Sequence, residues 1–275
     1  MELKNIWNNK NIVTGGAIFV IIALCAVFAP ILTGNDPNVV DVSKLLLRPN
    51  VSQWFGTDNY GRDIFSRVVY GARLSLLICL SVAVIGGIVG SVLGMMAGYY
   101  KKMEMTIMCV MDGLMALPSL LLAMAIVAVL GTGVQNLILA LTVSNLPRIV
   151  RTVRAVVISV KKLDYVEAAF SMGASDLRIM WKYIFPACVS PLIVRLTMTM
   201  AFTILEEASL TFLGLGLSPE TASWGIILSE ARKYIRTSPY FLLLPGAVVV
   251  MTVYSINTLG DGLRDLLDPK LKNKC

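Results

Sequence analysis

Residues 190–212, SPLIVRLTMTMAFTILEEASLTF, decide how this chain is built. A bilayer-crossing helix needs about 20 mainly apolar residues, because about 1.5 Å of rise per residue must cover about 30 Å of hydrocarbon. The stretch is long enough, but Arg195 and the adjacent Glu206 and Glu207 interrupt it. If it crosses, the number of spans is even and both chain ends share a side. If it does not, the ends lie on opposite sides.

The neighbouring stretches are cleaner. Residues 11–35 carry no charge, and their apolar core, 12–32, exceeds the roughly 7 to 15 residues of a signal-peptide core, so an uncleaved first helix is expected. Residues 74–100 and 237–260 are equally free of charge. Residues 113–147 are uncharged but too long for one crossing, and Gly131-Thr132-Gly133 marks a turn inside them. Two helices are predicted there, at 105–130 and 134–157.

Lysine and arginine placement settles the parity, because short cytoplasmic segments hold the positive excess. With six spans, 15 basic residues fall inside and 8 outside, and Arg195 stays within the fifth helix. The chain reads as an all-α integral membrane protein with six transmembrane helices and both termini cytoplasmic. Its predicted plan is a cytoplasmic N-terminus (1–11), a first helix (12–32), an extracytoplasmic loop (33–73), a five-helix core (74–260) and a cytoplasmic tail (261–275). The core includes a cytoplasmic loop at 158–189.

Composition supports this plan and excludes much chemistry. The 275 residues are 56% hydrophobic and 15% charged, with mean hydropathy +0.75 and net charge +7. Ordinary soluble domains hold about 25% charged residues. Histidine is absent, which removes Ser-His and Cys-His catalysis and histidine metal clusters. Cys25, Cys79, Cys109, Cys188 and Cys275 are too far apart to form a local C-x-x-C pair, and they read as packing residues.

The cytoplasmic loop holds the most informative residues. Residues 164–175, DYVEAAFSMGAS, have short helical character, and Gly173 is placed to end a helix in a left-handed cap. Ser175 or Asp176 can cap a second helix, which Phe185-Pro186 closes. A helix, a glycine turn and a helix would form a hook at the membrane surface.

The spacing carries more than periodicity. Glu167-Ala168-Ala169, Gly173-Ala174, Tyr183 and Phe185-Pro186 resemble the E-A-A-x3-G-x9-I-x-L-P loop of permease subunits of binding-protein-dependent ABC importers, with Tyr and Phe where Ile and Leu are usual. Gly56-Thr57-Asp58 with Gly61-Arg62-Asp63, Met111-Asp112-Gly113, Leu117-Pro118-Ser119, Ser223-Trp224-Gly225 and the tail from Leu259 to Pro269 are similar to the dipeptide, oligopeptide and nickel permeases within that superfamily.

The resemblance implies a type I importer permease in the cytoplasmic (inner) membrane that does no chemistry itself. It forms half of a pathway for di- or oligopeptides, or alternatively for nickel or a metal chelate, beside a second homologous permease. An extracytoplasmic binding protein delivers substrate, and two ATPase subunits beneath hold ATP and Mg. Glu167, Ala168, Ala169, Gly173, Ala174, Tyr183, Phe185 and Pro186 would then rest against an ATPase. This chain itself would bind no cofactor. A self-sufficient secondary transporter is the distant alternative. No phosphate-binding G-x-x-x-x-G-K-[ST] run occurs, and nothing points to nucleic acid.

Further expectations concern single residues. Gly86, Gly90, Gly94 and Gly98 recur every four residues and predict a packing groove. Asp112 is expected to meet Arg148 or Arg151. Arg148, Arg151 and Arg154 share a helix face and could snorkel towards headgroups or an attached subunit. Glu206 and Glu207 are candidates for the substrate path. As neighbours on a helix they should point apart. Asp58 with Arg62, and Asp63 with Arg67, are spaced as local pairs.

Overall fold

A computed structural model describes residues 9–34, 36–218 and 220–267. The outermost parts of both predicted cytoplasmic ends, with Cys275, lie outside the described residues. Among these residues, eleven α-helical segments follow in chain order: α1 Lys10–Val27, α2 Ala29–Thr33, α3 Ile64–Tyr99, α4 Lys101–Met115, α5 Ser119–Leu130, α6 Val134–Val160, α7 Asp164–Ser171, α8 Asp176–Arg178, α9 Phe185–Phe212, α10 Trp224–Ala231 and α11 Tyr240–Leu267.

Four stretches among the described residues are long and apolar enough to cross a membrane: α1, α3, the unit Asp176–Phe212 that ends in α9, and α11 up to Leu266. The interrupted stretch at 190–212 therefore lies in one of the qualifying helices. Two predicted helices differ from expectation instead. The helix predicted over 105–130 is a pair, α4 and α5, bent by 89°. Pro118 explains the bend, since it lacks an N–H and pushes Leu117 out of helical geometry. Counted as one broken span, the pair makes a fifth. The other, α6, is 27 residues long but is not among the qualifying helices. Gln135, Asn136, Asn145 and three arginines dilute its apolar face.

Helix bounds also moved. At 36 residues, or about 54 Å at 1.5 Å each, α3 outruns the hydrocarbon and begins at Ile64, well before the clean run from Leu74. The Asp63 carboxylate caps it, accepting from the Ser66 N–H (2.9 Å) and Oγ–H (2.6 Å). α11 continues past residue 260 to Leu267.

The glycine file on α3 builds the central seam. A Cβ on Gly90 would stand 2.5 Å from Ile149 Cγ2, one on Gly94 2.7 Å from Val153 Cβ, and one on Gly98 2.6 Å from Val157 Cβ. These contacts set α3 backbone-close against α6, where packing replaces the hydrophobic drive that water would supply. α1 lies outside on α11, with Gly15 against Ser255 and Leu259.

The loop before α3 is folded, not a solvated turn. Thr57, Asp58, Arg62 and Arg67 are buried. Leu47 N–H donates to Thr57 Oγ1 (2.8 Å), and Tyr240 Oη–H at the start of α11 donates to the Leu46 carbonyl (2.6 Å). Gly56 and Gly61 have φ of +76° and +75°, and each packs against loop backbone with no room for a side chain.

Candidate functional site

Three polar constructions stand out: the hook, a buried ion cluster under the folded loop, and a file of charges within the bundle.

In the hook, α7 ends in a glycine cap. Gly173 (φ +82°) donates its N–H to the Phe170 carbonyl (2.9 Å), and Ala174 donates to Ala169 (3.1 Å). These two bonds satisfy carbonyls that the helix end would orphan. Val166 turns inward onto Ile179, Met180 and Ile184, Ala169 is buried as well, and this small core joins the ends of α3 and α6 through Tyr99, Val157 and Val160. The outward face carries Glu167, Ala168, Phe170, Met172, Leu177 and Trp181, all exposed.

The second hook helix does not close at Phe185-Pro186. From α8 the chain passes through a π-helical turn, Ile179–Ile184, straight into α9, and the Phe185 N–H donates to the Met180 carbonyl. Pro186 sits in the first turn of α9, where its missing N–H costs least. Tyr183 and Phe185 pack against the inner core, with Phe185 5.0 Å from the Trp181 ring.

Ser175 occupies the cap position of α8 but makes no side-chain cap bond. Asp176 instead accepts from Tyr99 Oη (2.8 Å) and Tyr100 Oη (3.3 Å), and Lys161 Nζ donates to the Tyr99 carbonyl (2.8 Å). Together these tie the hook to the end of α3. Sequence reasoning missed them, because 77 residues separate Tyr99 from Asp176. A groove of about 910 Å³ beside them is edged by Lys101, Lys102, Lys161, Lys162, Glu167 and Phe170.

In the ion cluster, Asp58 Oδ2 accepts from Arg62 Nε (2.6 Å) and Arg67 Nη1 (2.7 Å). Glu230 Oε2, on α10, accepts from the same two arginines at 2.9 and 2.6 Å. The Asp58–Arg62 pair is as the spacing suggested. Asp63 does not pair with Arg67, because it is spent on the α3 cap and Arg67 turns to Asp58 and Glu230. The cluster fixes α10 against the start of α3, where Trp224 Nε1–H also donates to the Val68 carbonyl (3.0 Å).

Within the bundle, Glu206 and Glu207 part company as expected. The buried Glu207 accepts from Ser75 Oγ (3.2 Å) and Thr211 Oγ1 (3.3 Å), facing α3 and the next turn of its own helix. Glu206 turns the other way and accepts from Ser119 Oγ and Asn145 Nδ2, both at 2.8 Å. On α6, Arg151 pairs with Asp112 (2.5 Å) and Arg154 with Glu104. These arginines clamp α4 to α6, where free snorkelling had been open. Among the described residues no cluster of three or more metal-ligating side chains occurs.

The comparisons with known proteins agree with this architecture. Residues 90–273 match the family described as binding-protein-dependent transport system inner membrane component, and residues 3–49 match the N-terminal TM domain of oligopeptide transport permease C. A di/tripeptide transport system permease protein of Pseudomonas aeruginosa is 44% identical over 282 residues, covering 98% of this chain and 93% of that protein. A dipeptide transport system permease protein of Alkalihalophilus pseudofirmus is 42% identical over 272 residues, covering 98% and 89%. A glutathione transport system permease protein of Pectobacterium atrosepticum is 39% identical over 267 residues, covering 96% and 89%. Such proteins are non-catalytic transport subunits, with ATP hydrolysis on separate chains. From its match over residues 90–273 and its full-length relatives, the chain belongs to the family of inner membrane components of binding-protein-dependent transport systems.

Proposed function

We propose that this chain forms half of the translocation pathway of a di- or oligopeptide importer. It pairs with a second homologous permease, two ATPase subunits and an extracytoplasmic binding protein. The relatives named for peptides, dipeptides and glutathione favour peptides over nickel or a metal chelate. α1, α3, the α4–α5 pair, α6, α9 and α11 make six crossings, with the hook and both termini on the cytoplasmic side. The excess of basic residues on that side supports this orientation.

One observation carries the mechanism: the hook is continuous with a membrane span. Asp176–Phe212 is an unbroken helical unit from the exposed hook to the polar groups of the bundle. A displacement imposed at Phe170, Met172, Leu177 and Trp181 by an ATPase subunit is passed along a rod, because a hydrogen-bonded helix resists the bending that a loop would absorb. Two-state rocking of the permease needs such a rigid link. Glu167 adds an exposed charge for a basic group on that partner, and Ala168 allows close approach.

Gly173→Val and Glu167→Lys test this role. At Gly173 a side chain meets no atom within 4 Å, so valine is opposed only by the positive φ, at about 1–2 kcal/mol. Both variants are expected to insert normally. Each should lower substrate-stimulated ATP hydrolysis of the reconstituted complex by about tenfold or more, equivalent to about 1.4 kcal/mol of lost contact. Unchanged stimulation in both would remove the hook from the coupling path.

A further inference from the structure

Among the described residues, three half-buried charges in the bundle are left without an opposite charge. Arg148 has no carboxylate within salt-bridge reach among the described residues, unlike Arg151 and Arg154 on the same face of α6. Its Nη1 and Nη2 reach Asn145 Oδ1 and Ser119 Oγ, both at a marginal 3.5 Å. Arg195, on the facing α9, donates Nε–H to Thr152 Oγ1 (3.2 Å), one turn along α6 from Arg148, and the two guanidiniums repel each other. Among the described residues, Glu206 meets only the neutral donors of Ser119 and Asn145.

Ser119 and Asn145 therefore stand between an anion and a cation. Each donates to Glu206 and accepts from Arg148, so the two charges are held apart instead of neutralising one another. An unpaired charge at membrane depth costs several kcal/mol unless it faces water or a ligand. A cavity of about 330 Å³ opens on Ser119, Ser144 and Arg148, and one of about 640 Å³ follows the file past Arg151, Arg154, Asp112 and Glu104.

We propose that Glu206, with Arg148 and Arg195, forms a station for zwitterions on the translocation path. The ammonium group of a passing peptide meets Glu206, and its terminal carboxylate meets Arg148, with Arg195 adding positive potential. The substrate brings the opposite charges that the station lacks. Arg148 is suited to the carboxylate because a guanidinium offers paired parallel donors. Glu207, the other candidate for the path, is excluded by its burial against α3. This inference rests on the reading of the chain as a peptide-importer subunit.

The test uses the complete transporter in proteoliposomes, with its binding protein and a dipeptide supplied free, C-terminally amidated or N-acetylated. Uptake by each variant is divided by wild-type uptake of the same peptide, so that selection by the binding protein cancels. Arg148→Gln is expected to lower uptake of the free dipeptide by about tenfold or more, the effect of losing one charge-assisted hydrogen bond. It should leave the ratio for the amide near one. Glu206→Gln should spare the N-acetylated peptide in the same way, and Arg148→Lys should recover part of the free-peptide uptake.

An equal loss for free and capped peptides would make these residues structural and overturn the station. Unchanged uptake of all three would do the same. If the wild-type complex moved none of the peptides, the peptide reading itself would fail, a result separate from either of these.

Discussion

Replacing Arg67 with methionine is expected to cost about 3–5 kcal/mol of stability, the range for breaking a buried ion group by removing one partner. Arg67 is 1% exposed and Asp58 is fully buried, and one nitrogen, Nη1, serves both Asp58 and Glu230. The other two guanidinium nitrogens, Nε and Nη2, have no hydrogen-bond partner among the described residues. Without Arg67, Asp58 keeps Arg62 Nε and the backbone N–H groups of Tyr60 and Arg62, which cannot balance two carboxylates. Thermal unfolding of the purified chain in detergent reads the loss. Adding Asp58→Asn to Arg67→Met should recover much of it, because the desolvated charge goes while an amide oxygen still accepts from the Tyr60 and Arg62 N–H groups. A change within about 0.5 kcal/mol for Arg67→Met alone, as at a surface position, would show that the cluster is not structural.

Gly94→Leu is expected to separate α3 from α6. Even a methyl at Gly94 would stand 2.7 Å from Val153 Cβ and 2.9 Å from the Val150 carbonyl oxygen. The backbone atom cannot rotate away, so the helices must part. Overpacking of this kind costs about 1–3 kcal/mol and sometimes more, and leucine adds three further carbons. Loss of co-purification with the partner subunits and a lowered unfolding midpoint are the measurements. Gly113→Ala is the internal control. That glycine is exposed on α4, with nothing within 4 Å of a new Cβ, so alanine should gain up to about 1 kcal/mol from helix propensity. Equal effects at both positions would mean that close packing does not set the seam.

Much of the candidate site was legible in the residues. The E-A-A spacing placed the hook, and Gly173 announced its left-handed cap because few other residues tolerate that conformation. The four-residue glycine period announced the α3–α6 seam. The bend at Pro118 was written in the proline itself, although residues 105–130 read as one helix. Long-range pairing was not legible. Local spacing offered Asp63 to Arg67, but a helix cap competed for that carboxylate and won, since Ser66 stood closer along the chain.

By itself the sequence determined that this is a helical membrane protein of a known transport family, because hydropathy and motif spacing are properties of the chain order. Only the tertiary structure decided what becomes of the charges at 190–212. Glu207 is absorbed by hydroxyls of its own and a neighbouring helix, while Glu206 and Arg195 remain uncompensated beside Arg148. Their partners come from α3, α5 and α6, and only packing brings those helices together. A charge in the membrane is tolerable or costly according to what lies across from it, and sequence order does not record that.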